Sequence, residues 1–471
     1  MTPALPVTAL LLLAAALGAA TSMFDGRLVL LMLAAMAPLP LILRDYRVGV
    51  LLLTLVLPIS PMLPPVRGLN VLNFLTLATL VSFALRTGFS KERVTWLPGR
   101  MWWGFLLPVT VAVLIAWPHI PEGARNYPRL ENARYLYDPM VYAVDRYAKP
   151  LLYFFSYAFL LANAVRASKR PEWFIVALAA SAVLPAMAVL YTVAAYPGSF
   201  AQLTQDREFM APRGMHANEF GMLLALASGP LLFVAGGEGE AWLKRVALAA
   251  FALVTLALLL TFSRGGLVAY LIGVCAFLLH HRRLKTIVAC GLAVGLFLLA
   301  APDALQERFG AGIRAGALSD ASNVRKDELT AGRLHGWILL APEVLESPWL
   351  GGGLGSTQWS GAVAMGRYKA NHPHNIYLEL LMDLGIIGTL AMVCVVVGHL
   401  RRFRQLAREP ALGHEMRSFF LGARFALWGA LAMAATTAYY MPNAAQAYLW
   451  FALGLAFADW PHAESRTEVK A

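Results

Sequence analysis

The chain has 471 residues, of which 59% are hydrophobic and only 14% are charged, and its mean hydropathy is +0.61. A soluble domain usually carries about a quarter charged residues, so this composition excludes an ordinary soluble protein. The net charge of +12 does not indicate nucleic-acid binding, because no basic stretch lies on a soluble module. The cysteines lie inside apolar runs and predict neither disulfides nor a zinc site: Cys275, Cys290 and Cys394.

Apolar runs of roughly 17 to 25 residues recur along the chain, which is the length a helix needs to cross a bilayer. These runs are continuous rather than alternating, so they favour helices over strands. The first run, residues 5–20, lacks a basic segment before it and is interpreted as a retained helix rather than a signal peptide. The predicted spans are 5–22, 28–43, 48–63, 70–86, 102–117, 150–166, 172–195, 217–236, 245–262, 265–280, 285–301, 376–399, 418–437 and 445–459.

The fold class predicted from these runs is an all-α polytopic membrane protein. Because some short runs merge or re-enter the membrane, we expect about 12 to 14 transmembrane helices with one long, partly helical periplasmic loop. The predicted organisation is one membrane domain in three parts. Residues 1–301 form N-terminal transmembrane helices, residues 302–375 form the loop, and residues 376–471 form C-terminal helices and a cytoplasmic tail.

The short connections between spans are basic, and with alternating spans they all fall on one side of the membrane. The positive-inside rule makes that side cytoplasmic, together with both termini. The opposite face then holds three long, irregular segments, 118–149, 197–216 and 302–375, and loops of this length are usually functional or disordered. The basic residues that fix the orientation are Arg44, Arg47, Arg86, Lys91, Arg93, Arg100, Arg166, Lys169, Arg170, Lys244, Arg245, Arg282, Arg283, Lys285, Arg401, Arg402, Arg404, Arg408 and Arg417.

Arg264 breaks an apolar run in Leu260-Thr-Phe-Ser-Arg-Gly-Gly266, on the predicted external face. An arginine at the membrane boundary is unfavourable unless it snorkels, pairs or faces water. One interpretation is a snorkelling side chain at a helix end. The other is a phosphate-binding arginine at a cavity, because a guanidinium binds phosphate oxygens in a bidentate way and stays charged.

Two further arginines on this face have open interpretations. Arg333 lies in Gly332-Arg-Leu-His-Gly-Trp337 of the long loop, where it either binds an anion or forms a salt bridge with an acid such as Glu343. Arg213 lies beside His216 and Asn218 at the start of a predicted span. A helix start is a natural anion site, but an interfacial anchor explains the same pattern.

Arg146 and Lys149 precede another predicted span and are candidates for an accessory role. His372 and His374 flank a proline before the span at 376–399, and histidine is well suited to accept a proton near neutral pH. A structural role is the common alternative for such a turn. No carboxylate spacing supports a metal, and cationic neighbours oppose one, so neither a metal nor another cofactor is expected.

The glycine run Gly351–Gly355 lacks the lysine and hydroxyl residue that end a P-loop, and it is interpreted as a flexible turn. Several motifs from Arg213 to Gly388 together resemble the O-antigen ligase and polymerase superfamily of bacterial membrane proteins. The resemblance depends on their order, with a long external loop between spans. The motifs are Thr261–Gly266, the pair Arg333 and Trp337, a Pro-x-x-Gly-x-Gly stretch at Pro348–Gly353, His374-Asn-Ile-Tyr-Leu-Glu379 and Leu384-Gly-Ile-Ile-Gly388.

This resemblance implies a metal-independent, inverting glycosyltransferase of the bacterial inner membrane, with its active site facing the periplasm. The implied donor is a glycan on undecaprenyl pyrophosphate, and membrane lipids surround the protein. His374 would be the catalytic base, and Arg264 and Arg333, together with Arg213, would bind the pyrophosphate. The accessory candidates are His372, Arg146, Lys149, His216 and Asn218.

The leading hypothesis for the reaction is an O-antigen ligase that transfers O-polysaccharide to lipid A–core. A polymerase with a glycan acceptor and an O-linked oligosaccharyltransferase with a protein acceptor are the nearest alternatives. Relatives of the last kind often carry a sizeable C-terminal soluble domain, which the segment after the final predicted span is too short to form. A transporter for a charged, lipid-linked glycan is a more distant alternative, and it should show internal symmetry between its spans.

Overall fold

The structure, a computed structural model, describes residues 37–63, 71–90, 93–131, 137–166, 168, 170–206, 208–282, 333–437 and 440–460. In these residues the regular secondary structure is entirely helical, and seven helices are long and apolar enough to cross a membrane. The predicted all-α polytopic fold is therefore confirmed. The predicted spans 5–22 and 285–301, and most of 28–43, lie outside the described residues, and the division into three parts stays a prediction.

Twelve helices are used below, and α2 to α7 and α10 are the seven long apolar ones. They are α1 (Tyr46–Met62), α2 (Val71–Phe89), α3 (Gly99–Tyr127), α4 (Pro139–Arg166), α5 (Trp173–Ala194), α6 (Ala217–Gly236), α7 (Ala241–Leu260), α8 (Arg264–His280), α9 (Arg333–Leu340), α10 (Ile376–Leu406), α11 (His414–Ala434) and α12 (Ala444–Phe457). Shorter helical segments are Leu39–Arg44, Phe200–Gln205, Ala211–Arg213, Ala341–Leu345, Ser356–Trp359 and Gly361–Ala364.

Helix α6 forms the centre of the bundle, and it packs against α5, α7, α8 and α11. Small residues allow these helices to approach closely. A Cβ added to Gly422 of α11 would lie 2.5 Å from the carbonyl oxygen of Gly229 in α6. Close backbone approach through small residues is how membrane helices gain packing energy when lipid is as apolar as the side chains.

Several of the basic connections predicted to share one face meet, in the described residues, at one end of the bundle, named here the basic end. Arg86 lies 3.5 Å from Asp45, and Arg166 donates a hydrogen bond of 2.6 Å to the carbonyl of Arg93. Trp173 at the start of α5 and Trp242 at the start of α7 are in ring contact at 5.7 Å. The alternation of spans inferred from charge therefore agrees with the packing of the described helices.

The opposite end, named the loop end, contains the starts of α6, α8 and α10 and the described part of the long loop, residues 333–375. The phenol of Tyr377 in the first turn of α10 donates to the carbonyl of Leu431 near the end of α11, at 2.6 Å. Gly214, just before α6, lies against the backbone of Pro61 at the end of α1. These contacts place the start of α10 beside the end of α11, and the start of α6 beside the end of α1.

The prediction that residues 118–149 are an irregular external segment is wrong for most of that range. Helix α3 continues to Tyr127, and α4 already begins at Pro139, where Asp138 accepts two backbone hydrogen bonds as its N-cap. Prolines favour a loop in a sequence reading, but a proline in the first turn of a helix lacks only an N–H that has no helical partner there. Arg146 therefore lies inside a helix rather than before one.

The glycine run Gly351–Gly355 is ordered by hydrogen bonds, so its prediction as a flexible turn is also wrong. The N–H of Gly352 donates to the carbonyl of Met382 at 2.7 Å, and the N–H of Leu354 donates to the carbonyl of Ala112 at 3.0 Å. The run lies where α10 kinks at Gly385, which has a φ of +64°. A kink frees backbone groups of α10, and the glycine run supplies their partners.

Candidate functional site

The two histidines form a turn directly before α10. Asn375 is the N-cap of that helix, and its side-chain oxygen accepts from the N–H groups of Tyr377 and Leu378 at 3.0 and 3.2 Å. His374 has a φ of +52°, which is unusual for a residue with a side chain. The imidazoles of His372 and His374 meet edge to face, with their centroids 4.1 Å apart.

Two aromatic side chains donate hydrogen bonds to the backbone of this turn. The indole N–H of Trp337 donates to the carbonyl of Pro373 at 2.9 Å, and the phenol of Tyr368 donates to the carbonyl of His372 at 2.7 Å. Tyr368 belongs to no distinctive motif, so no sequence pattern marks it as functional. Its role depends on the fold of a loop whose contacts a single sequence does not reveal.

Both imidazoles are neutral near physiological pH. Burial, together with the positive charges of Arg333 and the nearby His216, lowers the pKa of His374 to about 4. Burial also holds the pKa of His372 well below its ordinary value, with contributions from His374, Arg146 and Arg333. A neutral imidazole has a lone pair available and can accept a proton.

Arg333 is the first residue of α9, one helical turn before Trp337. Its charge lowers the pKa of both histidines, so it lies near the histidine turn, and its role in binding a pyrophosphate stays a prediction. Glu343, the proposed salt-bridge partner, accepts instead from the N–H groups of Gly361 and Ala362 at 3.2 and 2.9 Å. The acid therefore serves as a cap for the Gly361–Ala364 helix.

Arg146 lies in a π-helical turn of α4, a local distortion often found at functional sites. Its guanidinium lies 4.7 Å from the ring centroid of Tyr127 and donates to the phenol oxygen of that residue at 3.3 Å. Because its charge also acts on His372, Arg146 is part of the site. Lys149, one turn further along, is 3.0 Å from Asp145 and is at least partly neutralised by it.

His216 is the N-cap of α6. Its Nδ1 accepts from the N–H of Asn218 at 3.1 Å, and Glu219 accepts from the N–H of His216 at 2.8 Å. Asn218 thus takes part in this cap through its backbone. The Nε2 atom of His216 lies 3.9 Å from Glu208, and its ring acts on His374. The start of α6 therefore faces the histidine turn, although the two segments are far apart in sequence.

Arg264 begins α8 after the N-cap Ser263, whose hydroxyl accepts from the N–H of Gly266 at 3.2 Å. The helix start lies directly beside α6, because a Cβ added to Gly266 would be 2.8 Å from the backbone of Gly221. Gly221 follows His216 by little more than one turn. The half-exposed Arg264 therefore lies at the same end of the bundle as His216 and the histidine turn.

Arg213 has a different environment. Its Nε donates to the hydroxyl of Thr192 at 3.0 Å, and its guanidinium lies 5.1 Å from the ring centroid of Tyr191 at the end of α5. These contacts favour the interfacial-anchor interpretation. A direct phosphate contact by Arg213 stays a prediction.

No role is predicted for Asp383 from the motifs. A buried acid in an apolar helix is nevertheless a recognised functional signal. It is 1% exposed and accepts from the N–H groups of Gly355 and Ser356, each at 3.0 Å, and from the Ser356 hydroxyl at 2.8 Å. The phenol of Tyr440 donates to it at 3.3 Å. One carboxylate thus joins the kinked α10, the glycine run and the segment between α11 and α12.

Part of the chain is similar to known proteins. Residues 249–393, which contain Arg264, Arg333 and His374, match the family model described as O-antigen ligase. A protein of Rickettsia conorii provisionally named a polysaccharide ligase is 33% identical over 88 residues, which is 17% of this chain. The match spans only 21% of that relative. The predicted resemblance to the O-antigen ligase family is confirmed, and the family supports a lipid-linked glycan ligase or polymerase type of function.

Proposed function

We propose that this protein transfers a glycan from undecaprenyl pyrophosphate to a hydroxyl of lipid A–core, as an O-antigen ligase. The observation that carries the proposal is a histidine pair, buried His372 and partly buried His374, at the loop end of a membrane bundle, with the pKa of both imidazoles lowered by burial and by the charge of Arg333. A base beside a fixed cation is what transfer from a pyrophosphate donor needs. The base accepts the acceptor's proton, and the cation stabilises the leaving group.

In the proposed reaction, the acceptor oxygen attacks the anomeric carbon of the donor from the side opposite the pyrophosphate. The new glycosidic bond forms while the bond from carbon to the phosphate oxygen breaks, so the configuration inverts. The acceptor's proton passes to His374, and the electron pair leaves with undecaprenyl pyrophosphate. Arg333, Arg264 and Arg146 are proposed to bind the phosphate oxygens, with Lys149, His216 and Asn218 in accessory positions.

The low pKa of His374 in the substrate-free protein suits this order of events. A base with a pKa of about 4 is deprotonated at neutral pH but accepts a proton weakly. The bound pyrophosphate brings negative charge that offsets Arg333, so donor binding strengthens the base. His374 therefore becomes an effective proton acceptor when the activated donor is in place.

The proposed location is the bacterial inner membrane, with the loop end in the periplasm. Support comes from the basic end, where arginines from several connections meet, because such residues favour the cytoplasmic side. Both lipid-linked substrates would then reach the site from the membrane, and the activated bond in the donor removes any need for a nucleotide.

Reconstitution of the full chain in lipid vesicles tests the proposal. The purified protein is mixed with undecaprenyl-pyrophosphate-linked glycan and lipid A–core, without ATP and with EDTA present. We expect a product in which the glycan is joined to lipid A–core. The absence of this product would contradict the ligase assignment. Product made only with a second donor glycan would indicate a polymerase, product made only with a protein acceptor would indicate an oligosaccharyltransferase, and movement of donor across the vesicle without product would indicate a transporter.

The His374→Ala variant tests the base in the same assay. We expect transfer to fall by about 10²–10⁴-fold, with donor binding retained. His335→Ala is the matched control, because His335 is exposed on α9 in the same loop. Near-normal transfer by His374→Ala would remove this residue as the base.

A further inference from the structure

We infer that Trp337 and Tyr368 are positioning residues that hold the His372–His374 turn against the helix carrying Arg333. This inference rests on the proposed function, because it assigns these side chains to alignment of the proposed base. Neither side chain is expected to touch the reacting atoms. They act through the backbone carbonyls of the turn, which they bind directly.

Trp337 links the turn to the arginine helix. It follows Arg333 by four residues in α9, so the two side chains lie on neighbouring positions of one helix face. Its indole N–H donates to the carbonyl of Pro373, the residue between the two histidines, at 2.9 Å. The short helix α9 and the hydrogen bond of Trp337 therefore link Arg333 to the histidine turn.

Tyr368 binds the backbone carbonyl that precedes the one bound by Trp337. Its phenol donates to the carbonyl of His372 at 2.7 Å, while its ring packs on Gly336 of α9. A Cβ on Gly336 would lie only 2.6 Å from that ring, so the glycine creates the space for it. Adjacent residues of α9 thus contact the turn, Trp337 directly and Gly336 through Tyr368.

The turn needs such support for a physical reason. A left-handed conformation is unfavourable at a residue with a side chain, and His374 adopts it with a φ of +52°. Pro373 has no N–H to donate, and α10 begins only at Ile376, so helical hydrogen bonds do not stabilise the turn. Two aromatic donors on consecutive carbonyls select this conformation over more relaxed ones.

The arrangement has a consequence for catalysis. A phosphate bound by Arg333 restricts the movement of α9. Through Trp337 and Tyr368, α9 in turn restricts the movement of the His372–His374 turn. Donor binding and alignment of His374 are thereby coupled. Loss of either aromatic donor keeps both Arg333 and His374 in the protein but allows the imidazole of His374 to shift. A displacement near 1 Å is enough to lower a rate by about 10²-fold.

The test uses Trp337→Phe and Tyr368→Phe in the full-length, reconstituted protein. Each change removes one hydrogen-bond donor and keeps an aromatic ring. We expect kcat to fall by about 10-fold to 10²-fold, while the KM for the undecaprenyl-pyrophosphate-linked donor stays within about 2-fold. The controls are Trp349→Phe, at a side chain that is 64% exposed, and Tyr196→Phe, which loses a phenol hydrogen bond to Asp206 away from the turn.

A second readout does not need activity. Diethylpyrocarbonate modifies neutral imidazole, and mass spectrometry reports its reaction with His374. We expect the intrinsic reactivity of wild-type His374, after correction for the reagent's own pH dependence, to stay nearly constant between about pH 5 and about pH 7. In the Trp337→Phe and Tyr368→Phe variants it should fall towards pH 5, because a more solvated imidazole regains a pKa closer to its ordinary value.

The two readouts separate the possible failures. If wild-type protein makes no product but the variants still change the pH profile of His374, the proposed function fails and the positioning role stands. If wild-type protein is active and both variants keep its kcat and its modification profile, the positioning role is overturned. A fall in kcat that the control variants share would also overturn it, because it would reflect general loosening of the loop end.

Discussion

His374 lies among charges that oppose its own protonation. Burial has the largest effect on its pKa, and Arg333 and His216 add to it, so the imidazole stays neutral until strongly acidic pH. The neutral imidazole suits a base that acts only after an anionic donor has bound, because a protonated histidine could not accept the acceptor's proton. At this scale, the chemistry depends on which charges surround one side chain.

A substitution at Arg333 tests that electrostatic effect through the pH profile. For wild-type protein, we expect the acid limb of kcat/KM to lie near the pKa of His374 in the substrate-free site, about 4. Removing the cation in Arg333→Gln raises that pKa, so the acid limb should move to higher pH while the overall rate also falls. Arg367→Gln, at an exposed arginine of the same loop, should leave the limb in place. An unmoved limb in Arg333→Gln would show that its charge does not act on the base.

Arg264 provides a second prediction at the scale of one residue. Arg264→Ala should weaken both donor binding and transfer, and Arg264→Lys should restore binding only in part, because an ammonium lacks the bidentate geometry of a guanidinium. Binding of the lipid-linked donor to protein in vesicles is the measurement. Arg245→Ala is the control, since Arg245 is an exposed arginine at the basic end of α7. Undiminished donor binding and transfer in Arg264→Ala would remove its phosphate role.

The elements of the loop end are joined by unusual backbone. Gly351, Gly353 and Gly355 all have positive φ values, and the kink of α10 at Gly385 lies against the same glycine run. Asp383 of α10 completes the junction by accepting four hydrogen bonds from two other segments, three from Gly355 and Ser356 and one from Tyr440. The glycine run therefore packs between α3 and α10. This packing helps to hold residues 333–375, with Arg333, in a constant position relative to the histidine turn.

Gly353→Ala tests this packing. A Cβ at this position would lie 2.6 Å from the backbone nitrogen of Ala116, in addition to the strain of its φ of +93°. Gly366→Ala is the matched control, because Gly366 also has a positive φ but open space around it. We expect the control to lose about 1 kcal/mol of unfolding free energy and Gly353→Ala to lose clearly more, as measured by thermal unfolding. Equal losses would mean that strain alone, and not the close contact with α3, governs this position.

The whole molecule has two chemically different ends. Arginines from several short connections meet at the basic end, whereas the loop end contains the histidine turn and the starts of α6, α8 and α10. Because the described spans alternate between these ends, one measurement of sidedness fixes the orientation of all of them.

Cysteine labelling in intact cells measures that sidedness. In a chain whose three native cysteines are replaced by serine, Lys369→Cys at the loop end should react with a membrane-impermeant maleimide. Arg245→Cys at the basic end should react only after the cells are opened, because we expect it in the cytoplasm. The reverse pattern would invert the proposed topology and place the histidine turn on the cytoplasmic side.

The sequence by itself determined the class of fold and the division into two ends, because hydrophobicity and charge add up locally along the chain. It also predicted a shared site for Arg333 and His374, through the resemblance of their motifs to one family, and that assignment stays a prediction. It misjudged segment 118–149, where helices begin and continue despite several prolines, and the glycine run, which long-range hydrogen bonds hold in place. Only the tertiary structure showed the hydrogen bonds of Tyr368 and Asp383 and the lowered pKa of His374, since these properties depend on contacts between residues that are far apart in sequence or buried by folding.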